Sequence, residues 1–190
     1  MLKTLIRSTA FASLIAVGAA GMSTGAVAQD MPMVGGVAMD PANNIVENAA
    51  AAPNLSTLVA AVTAADLAET LSGEGPFTVF APTNAAFEKL PAGTVEELLK
   101  PENKDQLTNI LTYHVVPAAA TAEAVVQMIE DGGGSHEAET VAGDTITLSM
   151  EGDSVIVTDA QGNAATVEQA DVMQSNGVVH VIDAVLMPAS

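Results

Sequence analysis

Three histidines, His114, His136 and His180, and a surplus of carboxylates are the side chains with chemical reach in this sequence, which contains no cysteine. Without a thiol there is no cysteine nucleophile, no thiolate metal site and no disulfide. The histidines do not adopt the His-Glu-x-x-His spacing of zinc proteases, and neither a Gly-x-Ser-x-Gly elbow nor a phosphate-binding glycine loop occurs. His136 stands in the run Glu130-Asp131-Gly132-Gly133-Gly134-Ser135-His136-Glu137. There an imidazole and carboxylates could hold a divalent ion, but EF-hand order and zinc spacing are both missing, and a solvated polar loop accounts for the same residues. Met31, Met33 and Met39 offer thioethers to a soft ion such as Cu(I), against their ordinary use as apolar filler. No carboxylate pair is set by spacing into an apolar run where one member would stay protonated for acid catalysis. These residues point away from an enzyme and require neither a metal nor a cofactor.

The other two histidines lie among apolar residues. His180 interrupts a strand-like run that is apolar on both faces, which predicts a core imidazole with a hydrogen-bond partner. His114 follows Tyr113 and shares a helical face with Leu111, which predicts a structural role by the same argument.

The elements that must position these residues change character along the chain. Asp40 and Pro41 predict a helix start, with Ile45, Val46 and Ala49 on one face and Pro53 as the stop. Leu55, Leu58, Val59 and Val62 follow at the spacing of an amphipathic helix. Thr63 with Asp66, and Thr94 with Glu97, have the form of capping boxes. A helix is predicted over Asn103–His114, and Thr121 is placed to cap a last one that closes at Gly132. After these glycines the period falls from about 3.6 to 2. Ile146, Leu148 and Met150 alternate with Thr145, Thr147 and Ser149, and turns are predicted at Glu151–Asp153, Asp159–Asn163 and Asn176–Gly177, before a central strand over Val178–Leu186.

Between the halves lies Gly75–Leu90, which reads as a strand from Phe77 to Ala81, a break at Pro82 and a helix capped by Thr83. It contains Phe77, Phe80 and Phe87, three of the four phenylalanines, so these rings are expected to form the core where helices meet sheet. Grouped helices followed by grouped strands predict an α+β domain.

Composition bounds the class. The chain has 190 residues, 49% of them hydrophobic, and a formal net charge of −18, enough apolar content for one domain of ordinary burial. The acidic balance repels phosphate backbones and anionic headgroups, which disfavours nucleic acid and membrane-surface partners. Lys3 and Arg7, the apolar run Phe11–Ala20 and the small residues Ala26-Val27-Ala28 predict a signal peptide over 1–28, cleaved between Ala28 and Gln29. A flexible leader is expected over 29–40, a single domain over 41–190, and no membrane span, since spanning takes about 20 apolar residues.

Three stretches together resemble the signatures of the fasciclin-like (FAS1) domain family. They are Gly75–Leu90; Leu107–Pro117, with its Tyr-His pair; and Asn176–Pro188. The resemblance implies a wedge-like β-sandwich with attached helices in the N-terminal half. It also implies a secreted, non-enzymatic protein of the periplasm or cell exterior, mediating adhesion or matrix contact with an unknown protein or polysaccharide partner. It places candidate partner contacts on Tyr113 and His114. A second implication is carriage of an apolar ligand such as a carotenoid or lipid, for which an Ala-, Val- and Met-rich interior offers an adaptable lining. A monomer is expected.

Overall fold

In the computed structural model, residues 31–91 and 93–189 are described. The signal-peptide residues and the cleavage point at Ala28 and Gln29 lie outside them. The first described segment is folded rather than a flexible leader. Met33–Val34 (β1) and Val37–Ala38 (β2) pair as a hairpin across Gly35 and Gly36, both at positive φ. Val34 and Met39 are buried against the domain body, and this apolar burial is what holds the segment in place.

Six short helices follow before the last helix and the sheet wing. Ile45–Ala51 (α1) begins at Asn44, whose side chain and that of Glu47 satisfy each other's backbone N–H groups, so the start expected at Asp40 falls four residues later. Ser56–Ala64 (α2) and Ala68–Leu71 (α3) continue, the latter without a side-chain cap. Thr63 does not cap: its hydroxyl donates back to the Val59 carbonyl within α2. Phe77–Pro82 (β3) leads through the Thr83 cap into Asn84–Glu88 (α4). Thr94–Leu98 (α5) starts from Gly93 at φ 92°, so Thr94 sits inside the helix rather than at its cap. Lys104–Tyr113 (α6) and Val115–Val116 (β4) come next, then Ala122–Asp131 (α7), capped by Thr121 as expected.

Ser135–Glu139 (β5), Thr145–Glu151 (β6), Ser154–Thr158 (β7), Ala164–Gln174 (β8) and Gly177–Ile182 (β9) complete the sheet in the order β4-β3-β9-β8-β7-β6-β5. All pairings are antiparallel except β3 with β9, which run parallel from Phe77↔Gly177 to Pro82↔Ile182. The sheet curls until its ends meet: the Val141 N–H, just past β5, donates to the Val115 carbonyl of β4 at 2.8 Å. The result is a nearly closed wedge with the helices of the N-terminal half on one side.

The β3–β9 pair is a wall between two cores. Val79 and Ala81 of β3, with Val179 and Val181 of β9, face Leu58, Phe87, Leu107 and Leu111 on the helix side. The alternate residues Phe80 and Ile182 face the barrel interior with Tyr113, Ile129, Ile146, Leu148 and Leu186. Phe80 is 1% exposed, as a two-sided buried strand requires. The three phenylalanines therefore do not form one core. Phe80 belongs to the barrel, whereas Phe87 and the half-buried Phe77 belong to the helix side, because the pleat sends neighbouring residues of a strand to opposite faces.

Candidate functional site

Tyr113 and His114 sit at the end of α6, where the chain turns from helix into β4. Both are interior, at 0% and 2% exposure, so neither presents a side chain to a partner in this fold. The Tyr113 hydroxyl donates to the Thr145 carbonyl and accepts from the Ala160 N–H, each at 2.9 Å, clamping the start of β6 and the turn after β7 onto α6. Burial raises its pKa; the Ala160 N–H opposes this, and the nearby charges of Asp159 and Asp144 add to it. His114 Nδ1 lies 2.8 Å from the Ile110 carbonyl and Nε2 accepts the Leu186 N–H at 3.0 Å, which fixes a neutral ring with its proton on Nδ1. Burial lowers its pKa to about 4, against the opposing effects of the Ile110 carbonyl and Asp159.

His180 is also consumed inside. Its ring stacks on Phe80 at 5.6 Å, Nε2 lies 2.7 Å from the Ala120 carbonyl, and Nδ1 accepts the Asp171 N–H. Burial lowers its pKa too, opposed by the Ala120 hydrogen bond and by Asp171. The same network continues through Thr78, whose hydroxyl accepts the Ala120 N–H at 2.8 Å and donates to the Ala118 carbonyl. Together these groups fasten the connection before α7 to the central wall.

His136, expected in a loop, is instead in β5 and faces Leu148 of β6. Among the described residues, no group of three or more His, Asp or Glu side chains is arranged to hold a metal. Met39 is buried among core side chains while Met31 and Met33 are exposed, so the three thioethers do not converge.

Two further residues organise the fold, and the sequence signals only their turns. Asn176 accepts the Ile45 N–H and donates to the Leu71 and Gly73 carbonyls, tying α1 and α3 to the start of β9. Asp159 accepts the N–H groups of Gln161, Asn163 and Met187, bracing its own turn and the C-terminal segment together. In both, an Asx residue that looks like a local turn former also holds a distant strand of chain.

The interior offers little ligand volume. An apolar crevice lined by Ile45, Leu58, Val62, Leu111, His114 and neighbours encloses about 30 Å³, the space of one or two waters. Ligand pockets run to roughly 300–1,000 Å³. The larger spaces, about 550 Å³ beside Glu74 and Asn176 and about 530 Å³ beside Asn84 and Glu96, are open grooves.

Charge is unevenly distributed along the chain. Lys89, Lys100 and Lys104 lie within one stretch near α4–α6, and no lysine or arginine follows Lys104, whereas thirteen Asp and Glu side chains occur from Asp105 to Asp183. Lys89 pairs with Asp183 and Lys104 with Asp66. Burial pushes the Asp183 carboxyl up, but its hydrogen bonds from Lys89 and Thr166 outweigh that and leave it below the usual carboxylate range. No single helix among the described residues is long and apolar enough to cross a membrane.

A sheet curled on itself with helices along one side, and Tyr-His and Asn-Gly stretches at its seams, defines the fold class, and comparison with known proteins agrees. The Fasciclin domain description fits residues 53–188. Protein sll1483 of Synechocystis sp. is 52% identical, the match covering 98% of this chain and 99% of that one. Immunogenic protein MPB70 of Mycobacterium bovis is 40% identical, covering 82% of this chain and 72% of that protein. A solved FAS1 domain pair from the insect cell adhesion molecule fasciclin I superposes with a TM-score of 0.69 at 21% identity, over 80% of this chain and 52% of that one. This chain belongs to the fasciclin-domain (FAS1) family.

Proposed function

We propose that this protein is an exported, non-catalytic FAS1 domain that works in the periplasm or outside the cell by binding a protein or polysaccharide surface. The observation that carries the reading is the inward commitment of Tyr113, His114 and His180: each spends its polar atoms on backbone partners. These three side chains are therefore committed to the fold, and we assign function to the outer surface. Membership of a family with a structural neighbour described as a cell adhesion molecule supports surface contact as that function. The net charge of −18 favours a monomer, since copies repel. Comparing wild type with a deletion strain tests the reading: reduced surface attachment, aggregation or matrix content in the deletion strain is expected, and unchanged values in all three would overturn it.

A further inference from the structure

The long curled sheet has two ends, and they differ. One is β4, only two residues long and joined to the other end of the sheet through the Val141–Val115 hydrogen bond. The other is β5, whose five residues pair with β6 on one side only. On its outer side, Ser135 to Glu139 have no backbone or side-chain hydrogen-bond partner among the described residues. The inner face of β5 is covered: Ala138 packs into the barrel core, with Val125 and Ile129 of α7 in the same cluster. The edge carries no strand partner between Ser135, whose carbonyl lies close against Gly132, and Val141, where it meets β4.

A bare edge of this length is a template for another strand. Which strand it accepts is set by Glu137 and Glu139, both exposed, with Glu151 and Asp153 in the adjoining hairpin and no cation in the rest of the chain beyond Lys104. A second copy pairing here would bring like charges together across the new ladder, which is unfavourable. An extended segment carrying lysine or arginine at alternate positions reverses that sign. Its backbone would complete the ladder while its cations meet Glu137 and Glu139.

We infer that the outer edge of β5 is a docking site for an extended, basic polypeptide segment of a surface partner, added to the sheet as a further strand. This rests on the surface-binding reading above and gives it a site and a partner chemistry. The carboxylates then act in two senses, excluding self-pairing and selecting the partner.

The probe is a short peptide alternating lysine with threonine, with a peptide of alternating glutamate and threonine as control, titrated into the purified protein. Amide hydrogen exchange of residues 135–139 is followed at low salt and again at about 0.3 M salt. The basic peptide should slow exchange on β5 and leave β4 unchanged, salt should weaken it, and the acidic peptide should do nothing. Glu137→Gln with Glu139→Gln, at exposed positions that leave the fold intact, should weaken binding about tenfold, a few-fold for each near-surface charge pair. Absence of binding, binding without β5 protection, or equal affinity in the double variant would each overturn the inference. A strain carrying the double variant separates this inference from the broader reading. If it attaches like wild type while the deletion strain does not, the β5 site is wrong and surface binding by another face stands.

Discussion

The two cores flanking the β3–β9 wall differ in how they are held. The helix-side core is built mainly from aliphatic side chains of short helices together with Phe87, packed without directionality. The Asn176 hydrogen bonds to α1 and α3 are its polar tie to the wall. The barrel core contains Tyr113 and is bordered by His114, His180, Thr78 and Asp159, each bonded to backbone in a distant part of the chain. Apolar packing tolerates small shifts of one helix against another. A buried polar clamp does not, because losing its partner leaves an unsatisfied group in a low-dielectric interior. The barrel side should therefore respond to substitution in larger and less additive steps.

The largest test of this difference lies within one strand. Phe80→Ala removes a fully buried ring from the barrel and should cost roughly 3–5 kcal/mol, whereas Phe77→Ala, at a half-buried ring on the helix side, should cost less than half of that. Urea denaturation of both variants measures the gap, and equal losses would erase the proposed contrast.

Acid should find the barrel seam next. In the folded protein His114 is held neutral with its pKa near 4, below the ordinary value of 6.5. Above pH 6.5 both folded and unfolded chains carry it neutral and it adds no pH dependence. As pH falls from 6.5 towards 4, the unfolded chain takes up the proton first. Stability should then drop by roughly 3 kcal/mol across that window, and His180 shifts in the same direction. Denaturation midpoints of wild type and His114→Gln against pH check this: the variant should be less stable at neutral pH yet show a shallower acid slope.

Tyr113→Phe keeps the ring but abandons the Thr145 carbonyl and the Ala160 N–H, a loss of about 1–3 kcal/mol by the usual cost of unpaired buried groups. A thermal melt would show it, and no change would mean that water or relaxation repairs the clamp. Smallest is Lys89→Met. It breaks the ion pair with Asp183 that links α4 to the segment after β9, but Lys89 is 57% exposed, so the change should stay under about 1 kcal/mol.

Much of this arrangement could be read from residue types. The two-sided burial of β3 follows from its unbroken apolar and β-branched run, and the caps at Thr83 and Thr121 follow from their positions before helix-favouring segments. Thr63 and Thr94 carry the same capping pattern but lie inside helices, because that spacing signals a start only where the preceding backbone is extended. The hairpin around Gly35 was not legible: Val34 and Met39 are buried by distant partners and leave no period in so short a stretch. Nor was β5, whose Ser-His-Glu-Ala-Glu composition has no apolar alternation and whose strand state comes from pairing with β6. Tyr113 and His114 were placed correctly at a helix end, but their depth depends on the C-terminal segment folding over them, which no local pattern records.

The parallel pairing of β3 with β9 has a further consequence, which concerns time. The wall shared by both cores joins residues 77–82 to residues 177–182, so neither core can close until almost the whole chain is available. As the chain emerges from a ribosome, the N-terminal helices have no finished surface to pack on, and closure waits for loops that are slow to form. The fold therefore closes late and as a unit, once its last strand is available.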